Sequence, residues 1–165
     1  MQAPYLEPTD LLVLRGKHGG TKATAPSVIY VLDIENRPSA FTEITQIMLS
    51  KSVGETELYV IGKGQVSISV EFACKILSLS EHIHYQPTLL PRRNAADYQI
   101  AYLCGKLVHR VDPDVEVVIV SGDKGFELII ECLRLDGLAS RVVRNSSAIG
   151  GERREPDEEA ADAAP

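Results

Sequence analysis

The chain has 165 residues, of which 44% are hydrophobic and 24% charged, with 12 Gly and 9 Pro. That is the make-up of a single compact globular domain, so two ordinary domains and wholesale disorder are both excluded. The formal net charge of -6 argues against a generally basic nucleic-acid coat protein; residues 152–165 contribute -4 of it, which leaves residues 1–151 close to neutral.

Residues 1–26 are rich in Pro and Gly, and only Leu11–Leu14 could extend there, so a loosely attached leader is expected. Val28–Ile34 is an apolar, β-branched run suited to a strand covered on both faces. Pro38 and Ser39 open a helix through about Ser50, with Ile44, Ile47 and Met48 on one side. Leu58–Ile61 is a second strand, closed by Gly62 and Gly64, and Ile68–Leu79 a second helix. Ile83–Gln86 is a weaker strand, and Pro87 and Pro91 bound a loop. Asn94–His109 is a long helix with Ile100, Leu103, Cys104, Leu107 and Val108 as its seam. Val115–Val120 is the clearest strand, followed by a helix over Gly125–Asp136, a stop at Gly137 and a last strand at Arg141–Val143. Alternation of strand and helix at this spacing predicts an α/β domain with one doubly wound, mostly parallel five-stranded sheet over residues 27–145. From about Ser146 the chain turns small, polar and acidic, and 146–165 is expected to be a disordered tail.

Cys74, Cys104 and Cys132 form no C-x-x-C pair, and each is expected to be a buried thiol. There is no apolar run of the roughly 20 residues that spans a membrane, and no apolar signal core. The expected location is therefore the cytoplasm, without a membrane partner.

In an open parallel sheet, ligands bind beyond the carboxyl ends of the strands. Three acids are expected at that edge. Asp33 interrupts the first strand, where burying an unpaired charge is expensive; its plain alternative is a carboxylate held by backbone N–H groups or an arginine. Asp123 follows the fourth strand and would also serve as a helix cap. Asp97, in the first turn of the long helix, continues the apolar seam and should point inward; the alternative is an acid favoured there by the helix dipole. Like charges brought together raise one another's pKa, and a divalent cation relieves this. Oxygen-only ligands favour Mg²⁺ or Mn²⁺, ions that activate water and stabilise charge in phosphoryl transfer. Glu35 and Glu127 are further candidates, read more simply as a solvated loop acid and a first-turn helix acid. Lys63, Arg92, Arg93 and Lys124 are candidates to hold a phosphate backbone, or else ordinary surface charge. Gly62-Lys63-Gly64 lacks the Gly-Lys-Ser/Thr ending of a phosphate loop. His82 and His84 have no ligand spacing and read as structural or surface groups.

The segments VLDIEN (31–36), ELYVIGKGQ (57–65), RNAADYQIAYLCG (93–105) and VVIVSGDKGFELIIECLRLDG (117–137) resemble the PIN-like nuclease superfamily, in particular its NYN-type and related bacterial PIN-like domains. The resemblance implies a strand order of 3-2-1-4-5 and a Mg²⁺ or Mn²⁺ site, with Asp33, Asp97 and Asp123 in the places of metal ligands. Asn36, Gln65 and Asn94 also fall in motif-matching places. Gly125 departs from the pattern, standing where many NYN-type members have a second Asp, and Glu127 stands where some relatives have Asp. The expected activity is metal-dependent hydrolysis of RNA, with Asp33, Asp97, Asp123 and Glu127 catalytic. DNA remains open as the polymer, and a homodimer or an inhibitor protein as partner. The alternatives are a catalytically silent PIN-like module binding RNA or protein, and a domain for a small phosphorylated ligand.

Overall fold

The computed structural model describes residues 25–88, 92–145 and 148–150. Five strands, β1 (Val28–Asp33), β2 (Thr56–Ile61), β3 (Ile83–Gln86), β4 (Glu116–Val120) and β5 (Ser140–Val143), alternate with four α-helices. These are α1 (Ala40–Ser50), α2 (Val70–Ile76), α3 (Ala95–Leu107) and α4 (Glu127–Leu135). All pairings are parallel, in the order β3-β2-β1-β4-β5. The expected helix at 68–79 is shorter, with a 3-10 segment at Leu77–His82 after α2, and the last helix begins as a 3-10 turn at Lys124–Phe126.

Side-chain parity decides what each face of the sheet does. On β1, Ile29 and Val31 join Ile100, Leu103, Cys104 and Leu107 of α3 and Ile130 and Leu133 of α4 in one core. Tyr30, Leu32 and Ile34 point the other way, to Ala40, Ile44 and Met48 of α1. Each large apolar side chain buried in these layers stabilises the fold by about 1.5–3 kcal/mol. The same parity puts Asp33 on the α3 and α4 face.

Two expectations are corrected. Only Cys104 is a buried thiol, and burial pushes its pKa up to about 12; Cys74 and Cys132 are exposed. Helix α2 buries none of its residues, and Cys132 lies outside the Ile130 and Leu133 stripe of α4. The fold also continues past 145. Ile149 is 1% exposed and packs into the α1-side core, where its carbonyl accepts the Tyr30 hydroxyl at 3.1 Å. The expected leader falls on residues that, up to 24, lie outside those described, as does the acidic tail from 151. Among the described residues no helix is long and apolar enough to cross a membrane.

His82 and His84 hold a buried carboxylate on β2. Glu57 accepts from His82 Nδ1 at 2.9 Å and from His84 Nε2 at 2.6 Å. A carboxylate only accepts, so each of those ring nitrogens carries the proton. Burial pushes the Glu57 carboxyl up, but the hydrogen bonds from His84 and His82 outweigh it, and the group ends below its ordinary value. A depressed carboxyl contributes stability that is present above the unfolded-state pKa and is lost as pH falls through the folded one. Glu57→Ala is expected to cost about 2–3 kcal/mol at neutral pH. The gap between variant and wild type should narrow as the solution is acidified below the ordinary carboxylate range, as read from urea unfolding across acid pH.

Candidate acidic centre at the strand ends

Asp33 ends β1 with no solvent exposure. The β1–β4 register pairs Leu32 with Val120, so the next residues, Asp33 and Ser121, meet at the carboxyl edge. Ser121, also fully buried, donates its hydroxyl to Asp33 Oδ2 at 2.9 Å. The same oxygen atom of Ser121 accepts the Asp123 backbone N–H at 3.1 Å, so one hydroxyl ties two acids together. Asn36 supplies two further contacts, from Nδ2 to Asp33 Oδ2 at 2.5 Å and from its backbone N–H to Oδ1 at 3.3 Å. Asp33 is thus held by a serine and an asparagine.

Asp123 caps the turn that opens the last helix, Oδ1 accepting the Gly125 N–H at 2.9 Å. Its side chain is otherwise at the surface, since the residue is exposed. Asp97 stands in the first turn of α3, half-buried. The chain enters that helix through Asn94, the one described non-glycine residue with positive φ (60°). Asparagine tolerates this left-handed conformation, and Asn94 makes no side-chain cap, so its role is to turn the backbone into α3.

The Asp97 carboxyl is raised above its ordinary value, first by burial and then by the negative charges of Asp33, Asp123 and Glu35. Acids from three separate segments, Asp33 with Glu35, Asp97 and Asp123, therefore gather at the strand ends, and the charges of the other three reach Asp97. Glu35 belongs to this group; it is exposed in its loop, as expected, but anchored there. Its Oε1 accepts the Lys63 N–H at 2.9 Å and the Thr88 hydroxyl at 3.3 Å. Gly62 has φ +107°, and a Cβ there would lie 2.8 Å from Glu35 Cγ; a Cβ on Gly64 would lie 2.6 Å from Ile34 Cγ1. The Gly62-Lys63-Gly64 turn is a cradle for the Glu35 loop, which explains its glycines without a phosphate.

Glu127 is placed differently. It pairs with Arg144, just past β5, and its charge is absent from those acting on Asp97. Both partners are partly exposed, so the pair is worth little to stability, yet it turns the carboxylate toward the β5 edge. Lys63, Gln65, Arg92, Arg93 and Lys124 are all exposed, and they flank the acids in chain order: 63 and 65 after β2, 92 and 93 before α3, and 124 after Asp123.

Among the described residues no three His, Cys, Asp or Glu side chains converge closely enough to form a ready-made metal cage. The donor set still suits a hydrated hard dication. It is all oxygen, burial and the neighbouring negative charges together raise Asp97, and Mg²⁺ usually keeps several of its waters. Ser121 and Thr88, with the anchoring of Glu35, are what the sequence did not reveal. The one available cue was parity, which puts Ser121 on the same face as Val117 and Ile119.

No curated protein matches the chain. The sequence model of the PIN domain matches residues 27–143, from the start of β1 to the end of β5. PIN domains are generally nucleases and typically use divalent metals, and the all-parallel 3-2-1-4-5 sheet is the fold that goes with them. With that match covering most of its length, and with acids gathered at the strand ends, the chain belongs to the PIN domain family.

Proposed function

We propose that the protein is a Mg²⁺- or Mn²⁺-dependent ribonuclease that hydrolyses phosphodiester bonds at the carboxyl edge of its sheet. The observation that carries this reading is the gathering of acids at the strand ends: Ser121 bridges Asp33 and the backbone of Asp123, and Asp97, raised first by burial, also feels the charges of Asp33, Asp123 and Glu35. Asp33, Asp97 and Asp123 would hold the ion, with Glu35 in the place first given to Glu127. When bound, the ion supplies Lewis-acid polarisation of the phosphodiester and a more acidic water.

The chain's own residues do the rest. Ser121 and Asn36 fix the Asp33 carboxylate in one rotamer and keep its oxygens oriented. Lys63 and Lys124 stand on loops beside the acids and Arg92 and Arg93 ahead of α3, where they would pair with phosphates on either side of the scissile bond. Gln65 offers an amide to a sugar or base edge.

A labelled single-stranded RNA incubated with purified protein tests this. Cleavage is expected with Mn²⁺ or Mg²⁺, and none with EDTA. Cleavage that persists in EDTA, or that does not appear with either metal, overturns the reading. The catalytically silent alternative draws support from the missing cage geometry and from the Glu127–Arg144 pair. It predicts RNA binding that ignores EDTA and falls steeply with salt.

A further inference from the structure

The solvent face of α3 has features that its packing does not explain. Tyr98 and Tyr102 are 74% and 64% exposed, an unusual state for large aromatic rings. They are four residues apart, on one face and about 6 Å along the axis. Lys106, one turn further, holds its ammonium 4.2 Å from the Tyr102 ring centroid. Gly105 lies between them in the helix interior, where glycine disfavours the helix relative to alanine. Among the described residues nothing lies within 4 Å of where its Cβ would be, so internal packing does not require a glycine there.

The charge on this stretch is opposite to that of the chain. Residues 92–111 contain Arg92, Arg93, Lys106 and Arg110 against the single carboxylate of Asp97, in a protein of net charge -6. Helix α4, beside it, carries Glu127 and Glu131 against Arg134. Asp97 immediately precedes Tyr98, so the aromatic stripe begins at the acidic centre and runs away from it. Exposed rings at nucleotide-like spacing, basic charge and a bare patch of backbone are the components of a single-strand binding surface, because every base has a face that stacks.

We propose that the outer face of α3, bearing Tyr98, Tyr102, Gly105 and Lys106, is a track for the unpaired bases of a single nucleic-acid strand. The bases stack on the two rings, Lys106 pairs with a phosphate, and Gly105 lets the strand lie against the helix. The inference deepens the nuclease reading and rests on it for the polymer that reaches the acids. It makes that substrate an unpaired strand rather than a duplex.

Fluorescence anisotropy in EDTA, where nothing is cleaved, measures this with a labelled single-stranded RNA, a DNA strand of the same sequence and an RNA duplex. Both single strands should bind more tightly than the duplex. Tyr98→Ala and Tyr102→Ala should each weaken single-strand binding roughly 10-fold, while the Phe variants retain it. Gly105→Gln should raise the melting temperature and yet weaken binding, a pair of effects that a purely structural role would not produce. Alanine variants that bind as wild type does, or a loss equal for strand and duplex, overturn the proposal. So does a wild-type dimer in sedimentation that the alanine pair dissociates, because the face is then a protein interface. If the tyrosines carry binding but no metal gives cleavage, the nuclease reading falls and the track stands. If cleavage occurs and the tyrosines are dispensable, the reverse holds.

Discussion

Asp33→Asn is expected to lower metal-dependent RNA cleavage on the order of 100- to 1,000-fold while leaving the protein folded. The carboxylate is fully buried at the point where β1 delivers it to the edge, held there by Ser121 and Asn36. An amide of the same shape keeps the local network. Its oxygen, at the Oδ1 position, accepts the Asn36 N–H. Its NH₂, at Oδ2, donates to a flipped Asn36 amide and to a rotated Ser121 hydroxyl, which still accepts the Asp123 N–H. The change in folding stability should therefore stay within about 1 kcal/mol. The two readouts together decide the matter. Lost cleavage with an unchanged melt assigns the role to the charge, whereas variant and wild type cleaving equally traces the activity to a contaminant.

Ile149→Ala should cost about 2–4 kcal/mol, among the largest effects of any single change outside the strands. The side chain is 1% exposed in the layer formed by Tyr30, Ile44 and Met48. Ending the chain after Asn145 should cost at least as much. It removes the same side chain, leaves the Tyr30 hydroxyl without the Ile149 carbonyl and takes the Ala148 carbonyl from Arg141. A drop in melting temperature of about 10 °C is expected for either variant by thermal unfolding. A truncated chain as stable as the full one would show that the turn at 148–150 is an ornament on a domain already complete.

The sequence made the sheet readable because its signal is repetitive. Val28–Ile34 and Val115–Val120 are apolar except for Asp33 and Glu116, as suits strands covered on both faces, and the seam Ile100, Leu103, Cys104, Leu107 recurs at helical spacing. Asp33, Asp97 and Asp123 were visible as candidates because each breaks or ends such a pattern. What stayed hidden has no period. Ile149 is a lone apolar residue among Ser, Ala and Gly, and only the closed core shows what it fills. Glu127 and Glu35 look alike as first-turn and loop acids. Their fates diverge because Arg144 follows β5, whereas Lys63 and Thr88 follow the strands on the other side of β1. The exposure of Cys132 depends on which side of α4 meets the sheet, a choice that neighbouring apolar residues leave ambiguous over nine positions.

The central position of β1 has a temporal corollary. Its neighbour on one side, β4, pairs with it across 88 residues, as in Leu32 with Val120, and the Asp33–Ser121 contact spans the same distance along the chain. Such distant pairings form slowly, since a long loop must close before they are rewarded. A polypeptide still emerging from the ribosome holds Asp33, Glu35 and Asp97 well before it holds the strand that gathers them. The acidic centre is thus gathered only after β4 has been made, and a chain that stops short of that strand lacks it.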